Sequence, residues 1–184
     1  MNLFSETIRW NLLSFLFKKP EAEFYVNELA RAMNASASSV SITCRELSEN
    51  GILNKSKKGN SLFYSLNNSN PLTKLEKSAW FLAQLLPLSK AWENEEFQSV
   101  ALYGSYASGE FISKSDIDFI IITNVPDSKV SESFRLLKSK LRAEVNITVF
   151  SVSSWRKMAK EGDRFYIEVI SNHIPLYGSS LVIG

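Results

Sequence analysis

Cysteine is almost absent from this chain, with Cys44 standing alone. An internal disulfide and a cysteine-based zinc site are both excluded, and a reduced, cytoplasmic setting is predicted. Histidine is as scarce: His173 is the only one, so no cluster of imidazoles can hold a metal. No apolar run approaches the roughly 20 residues that span a bilayer, so no membrane partner is expected. Leu12-Leu13-Ser14-Phe15-Leu16-Phe17 runs into Lys18-Lys19-Pro20 without a small-residue cleavage site, and reads as a core helix. What is present is ordinary for a globular protein, 45% hydrophobic and 22% charged residues in 184. Residues 1–70 hold 8 Lys/Arg against 6 Asp/Glu, and the remainder holds 13 of each. That excess is too small to identify a nucleic-acid partner by composition.

The first 70 residues read as three helices and a hairpin. Ser5 is placed to cap a helix reaching Phe17, with Ile8, Leu12, Phe15 and Leu16 as its apolar stripe. Pro20 ends that region. Val26–Met33 reads as a second helix with Leu29, Ala30 and Met33 inward. After Asn34-Ala35-Ser36, a third helix capped by Ser36 or Ser38 places Val40, Cys44 and Leu47 at i, i+4 and i+7, and Gly51 stops it. Cys44 therefore reads as a small core residue. Residues 52–57 and 61–66 are strand-like, joined by the turn composition Lys58-Gly59-Asn60.

This order of parts resembles a winged helix-turn-helix over residues 5–67. The resemblance implies double-stranded DNA as partner, with the third helix in the major groove and the hairpin against the backbone. Ser38, Ser39, Ser41 and Arg45 lie on the side of the third helix away from its apolar stripe. Lys55, Lys57 and Lys58 cluster in the hairpin, where each phosphate contact releases a counterion. A winged helix used only for protein contacts is the alternative. Modest affinity per monomer is expected, and with it a homodimer.

Asn67-Asn68-Ser69-Asn70-Pro71 is the best boundary. A linker helix is predicted over 71–92, with Leu75, Ala79, Leu82 and Leu86 on one apolar face, Trp80, Phe81 and Leu85 widening it, and Pro87 kinking or splitting it. The second domain, 93–184, reads as a strand from Phe97 to Tyr103, a strand from Asp116 to Thr123, and a helix capped by Asp127 or Ser128. Val145–Phe150 follows as a strand, then a helix opened by Ser153 or Ser154, another opened by Asp163, and an extended close over 174–178. His173 is expected to decorate a surface turn before Pro175.

The stretch from Leu102 to Ile122 carries the chemistry. Gly104-Ser105 ends one apolar run, ten residues follow, and Asp116-Ile117-Asp118 opens the next. Strand residues i and i+2 face the same way, so the two aspartates project together about 7 Å apart at the backbone. Such a pair can converge on Mg²⁺, which prefers carboxylate oxygens. Gly104 lets the backbone approach a triphosphate, and Ser105 offers a hydroxyl and an N–H to its oxygens. Lys114 in the loop is placed to touch the same phosphates. The spacing fits neither a dinucleotide fingerprint nor a P-loop.

This motif resembles that of the polymerase-β-like nucleotidyltransferase superfamily, and in its small size the minimal nucleotidyltransferase branch related to the MNT antitoxins, variants of which partner HEPN proteins. The resemblance covers residues 93–178, including Phe165-Tyr166-Ile167-Glu168 and Leu176-Tyr177-Gly178. It implies an α/β (α+β) fold with a mixed sheet flanked by helices, Asp116 and Asp118 as catalytic metal ligands, and a nucleoside triphosphate, ATP, as substrate. The superfamily's third acidic residue falls at Asn146, whose neutral carbonyl holds a metal less tightly and takes no proton. Glu144 shares its face by parity. Two functions follow. One is a Mg²⁺-dependent transferase moving AMP to a hydroxyl, on a small molecule or a toxin-like protein partner. The other is a DNA-binding transcriptional regulator whose second domain binds nucleotide or a partner without turnover.

Overall fold

Thr7 opens the first helix, its hydroxyl accepting the Trp10 N–H at 3.3 Å. The expected cap, Ser5, lies outside the described residues, which in this computed structural model are 7–92, 96–141 and 143–182; Arg142 also falls outside. The chain divides into two units, Met1–Trp80 and Phe81–Gly184. Among the described residues there are eight α-helices and two sheets. No helix is long and apolar enough to cross a membrane.

In the first unit, α1 (Ile8–Phe17) buries Leu12, Leu13, Leu16 and Phe17. Its inward face therefore includes Leu13 and Phe17, and Ile8 and Phe15 are only partly covered. A two-residue strand, β1 (Phe24–Tyr25), was not apparent from the sequence; it pairs with β3 and leads directly into α2 (Val26–Met33). Glu28 accepts the Tyr25 N–H at 3.0 Å, satisfying a donor at the start of α2. Asn34 takes the left-handed conformation at φ 50°, and Ser36 caps α3 (Ala37–Glu49) through the Ser39 N–H at 3.2 Å. The antiparallel strands β2 (Leu53–Lys58) and β3 (Ser61–Leu66) close the sheet in the order β1-β3-β2. The core joins Leu12, Leu16, Leu29, Val40, Cys44, Leu47 and Ile52.

α4 (Pro71–Ser89) continues through Pro87 into a short 3₁₀ turn, Lys90–Trp92. Only one flank of its expected apolar face is buried. Leu75 is 67% exposed and Leu86 44%, whereas Thr73, Lys77, Phe81 and Leu85 are buried. Anchors fixed elsewhere set the helix's roll. The Lys77 ammonium donates to Asn68 Oδ1 at 3.1 Å, Trp80 packs on Phe17, and Phe81 packs on Tyr106. Two aromatic anchors and a buried polar contact outweigh the burial of Leu75 and Leu86.

The second unit is a four-stranded sheet in the order β6-β5-β4-β7. β4 (Phe97–Tyr103) runs antiparallel to β5 (Ile117–Thr123) and to β7 (His173–Gly178), and β5 runs parallel to β6 (Val145–Phe150). The parallel pair is joined by α6 (Asp127–Lys140), preceded by Pro126 in the cap position. On one face Phe134 of α6 packs edge-on against Phe119 and stacks on Trp92. On the other, α7 (Val152–Glu161) and α8 (Arg164–Ser171) cover Ala101, Ile120 and Ile122 with Trp155, Tyr166 and Val169. α7 is capped by Ser151, two residues before the expected serine, and Asp163 caps α8.

Burial pushes the Cys44 thiol up to about 12, so it stays protonated in neutral and mildly alkaline solution. A thiol reagent at pH 8 is expected to leave the folded protein unmodified and to label Cys44 stoichiometrically once urea unfolds it. Labelling of the native protein at the rate of an exposed thiol would contradict this packing.

Candidate active site

At one end of the second unit's sheet, four residues stand in a row on one face. His173 of β7 pairs with Tyr103 of β4, Tyr103 with Asp118 of β5, and Asp118 with Asn146 of β6. Cross-strand partners project to the same side, so the row presents an imidazole, a phenol, a carboxylate and a carboxamide together. His173 is thus the first residue of an edge strand, half-buried, and not the surface-turn decoration expected of it. Its sequence neighbourhood, polar and followed by proline, hid a strand pairing that only the fold supplies.

Asp116 stands one residue before β5 and is exposed, whereas Asp118 is half-buried. Their carboxylates converge on one point. The Asn146 amide Nδ2 donates to Asp118 Oδ1 at 3.1 Å and to Asp116 Oδ2 at 3.3 Å. The partly positive hydrogens of that amide already point at the two carboxylates, which is where a cation would be held. The donor set suits Mg²⁺ in kind, two hard carboxylates with the Asn146 carbonyl oxygen as a third candidate after rotation of the amide. Among the described residues, no group of three or more His, Cys, Asp or Glu is gathered for a metal. Glu144 is exposed, and its backbone carbonyl accepts the Ile117 N–H at 2.8 Å.

Gly104 makes room for Asp118. It opens α5 (Gly104–Ser108) at φ +71°, and a Cβ added there would lie 2.8 Å from Asp118 Oδ2. Both its conformation and its neighbour require a residue without a side chain. The Ser105 carbonyl is held by the Glu110 and Phe111 N–H groups, at 2.9 and 3.2 Å, which folds the following loop back on the turn. Lys114 is exposed in that loop. Tyr103, missed by the sequence reading, bonds Thr148 through its hydroxyl at 3.2 Å. Burial pushes its phenol up, and the charges of Asp118 and Glu168 add to that push. Tyr106, beneath the loop, is raised by burial and then by Asp116.

In the first unit the residues singled out for DNA are divided by the pairing. Lys55 and Lys57 are cross-strand partners of Tyr64 and Leu62 and share a face, whereas Lys58 lies on the other. Lys58 is paired with Glu23 and stands over the Phe63 ring at 5.1 Å. The three lysines do not form one cluster, because adjacent strand residues face opposite ways. Ser38 and Ser39 are gathered by Ser36, with Oγ–Oγ distances of 3.1 and 2.8 Å. Ser41 and Arg45 are exposed, and Arg45 lies 4.0 Å from Glu49. Arg31 was not singled out. Its guanidinium donates to Tyr25 Oη at 2.7 Å and to the Asn27 carbonyl at 3.2 Å. It lines an open groove of about 860 Å³ with Asn34 and Ala37.

A glycine turn against one of two convergent aspartates, at the end of a mixed sheet, decides the comparison. Residues 88–177 match the nucleotidyltransferase domain family. The nucleotidyltransferase domain thus occupies the C-terminal part of a mixed α/β chain. The chain is similar in structure to a possible transcriptional regulator from Methanosarcina mazei Go1, at 17% identity over 50% of this chain and 81% of that one, TM-score 0.35. It is similar to a mutant of the toxin-antitoxin MntA-HpeT, at 20% identity over 53% of this chain and 72% of that one, TM-score 0.36. A toxin-antitoxin with AMP-PNP is matched at 20% identity over 62% of this chain and 76% of that one, TM-score 0.35. Likenesses this partial carry no argument about the site. No curated protein matches the chain.

The close approach of Gly104 gives a direct expectation. Gly104→Ala forces a left-handed alanine and displaces the Asp118 carboxylate, costing about 1–2 kcal/mol in urea unfolding. A crystal structure of the variant would show Asp118 turned away from Asn146; an unmoved carboxylate with unchanged stability would contradict the packing described.

Proposed function

We propose that the nucleotidyltransferase domain binds a nucleoside triphosphate, ATP, with Mg²⁺ and transfers its nucleoside monophosphate to a hydroxyl acceptor. The observation that carries this reading is the convergence of Asp116 and Asp118 on one point beside the Gly104-Ser105 turn. Mg²⁺ there would neutralise charge on the transferring phosphate and help align it. Gly104 leaves room for the phosphate chain, and the Ser105 N–H and hydroxyl donate to its oxygens. Asp116 and Asp118 would hold the Mg²⁺, and Lys114 is available to the outer phosphates. The acceptor oxygen attacks the α-phosphorus in line, the bond to the bridging oxygen breaks, pyrophosphate leaves with that electron pair, and the acceptor's proton passes to water.

Asn146 favours a second reading. Its amide occupies the shared side of both carboxylates and cannot take a proton from the acceptor. On that reading the domain binds nucleotide or a toxin-like protein partner without turnover. The first unit, with three helices and a basic hairpin, is proposed as a winged helix that binds double-stranded DNA, so that the whole acts as a regulator. Lys55, Lys57, Ser41 and Arg45 are its proposed contacts, with Ser38 and Ser39 at the helix start and Lys58 tethered to Glu23.

Incubation with α-labelled ATP and Mg²⁺, with candidate acceptor proteins, separates the two. Transfer by the wild type that falls by about 100-fold or more in Asp118→Ala supports the enzyme. Binding of ATP without transfer supports the regulator as a nucleotide sensor, and neither binding nor transfer would exclude the enzyme and the nucleotide sensor alike.

DNA binding is tested separately. Lys55→Ala with Lys57→Ala is expected to weaken duplex binding and to flatten its logarithmic salt dependence by about 0.9 for each phosphate no longer neutralised. An unchanged slope would remove the hairpin from the interface.

A further inference from the structure

The sheet-end row contains one group that the proposed chemistry leaves idle. His173 stands two strands from Asp118, on the flank opposite Asn146, with the β4 end between them. That strand end is Tyr103, and Gly104 and Ser105 follow it directly. A triphosphate with its α-phosphate beside the Asp116/Asp118 pair and laid over this turn runs its outer phosphates toward β7. Strand spacing sets the scale, since two steps of about 4.8 Å separate the backbones of His173 and Asp118.

The ring's orientation is also determined. His173 Nδ1 lies 3.1 Å from the Ile170 carbonyl oxygen at the end of α8. A carbonyl only accepts, so Nδ1 carries the hydrogen, and Nε2 is left at the other side of the ring. Neutral, that nitrogen is an acceptor and repels a phosphate oxygen. Protonated, it is a charged donor, and hydrogen bonds between charged groups are the strong ones.

We propose that His173 is a proton-gated contact for the outer phosphates of the bound triphosphate, its Nε2–H donating once the ring is charged. The assignment rests on the nucleotide-binding reading above and adds the group that grips the end of the ligand away from Asp116 and Asp118. The titratable groups on the elements around it are Tyr103 on β4, Arg164 and Glu168 on α8 and Tyr177 on its own strand, with Asp118 one strand further on. α5, which follows Tyr103, brings only Tyr106, which is buried.

Inorganic tripolyphosphate with MgCl₂ is the probe, titrated calorimetrically into the full chain at pH 6 and pH 8. The variant is His173→Asn, whose amide can keep the bond to the Ile170 carbonyl while Nε2 is removed. His173→Ala serves as a second variant, and urea unfolding checks both. Comparing proteins at each pH cancels protonation of the ligand itself. Wild type is expected to bind about tenfold tighter than His173→Asn at pH 6 and equally at pH 8. It is also expected to take up more protons on binding than the variant. Equal affinities at both pH values, or the same loss at both, would overturn the assignment while leaving the nucleotide site in place. Failure of the wild type to bind either tripolyphosphate or ATP would overturn the site and the assignment together.

Discussion

The candidate site depends on a missing atom. Gly104 has no Cβ, and the place where one would be is taken by the Asp118 carboxylate, 2.8 Å from that point. Because Gly104 follows β4 directly and Asp118 lies at the start of β5, this one close approach ties the phosphate-sized turn to the first two strands of the sheet. β6 then enters parallel to β5 and lays Asn146 beside Asp118. β7 enters on the far side of β4 and lays His173 beside Tyr103. The four-residue row is a product of strand register, and a slip of one residue in any pair would turn that strand's contribution to the opposite face.

The electrostatic state of the row follows from the same register. Two carboxylates turned toward one point repel, and the Asn146 amide relieves that repulsion by donating to both. An aspartate at that position would add a third negative charge and a tighter hold on a cation. The asparagine instead donates a hydrogen bond to each carboxylate. This exchange, a hydrogen-bond donor where a ligand and base would serve turnover, is the physical content of the choice between enzyme and sensor.

Much of this was legible in the chain because it is local. Gly104, Ser105, Asp116 and Asp118 lie within about fifteen residues, and strand parity alone aims the two aspartates together. Helical periodicity likewise gave Leu29, Val40, Cys44 and Leu47 as core. What was not legible depends on partners distant in sequence. The roll of α4 is set by Asn68, Phe17 and Tyr106, which leaves Phe81 and Leu85 inside and turns Leu75 and Leu86, also expected inside, outward. Lys58 looked like part of a basic tip, but Glu23, 35 residues earlier, stands against it. His173 looked like a turn residue because nothing nearby in sequence reveals its pairing with Tyr103. Tyr103 itself read as one more apolar strand position.

The central claim is that Asp116, Asp118 and the Gly104 turn form a seat for a metal-bound triphosphate now bridged by Asn146. Crystals soaked with ATP and Mg²⁺ test it most directly. The account predicts metal density between the two carboxylates, phosphates over Gly104 and Ser105, and the Asn146 Nδ2 turned away from both aspartates. Nucleotide bound elsewhere, or an Asn146 amide still donating to both carboxylates at saturating ligand, would contradict it.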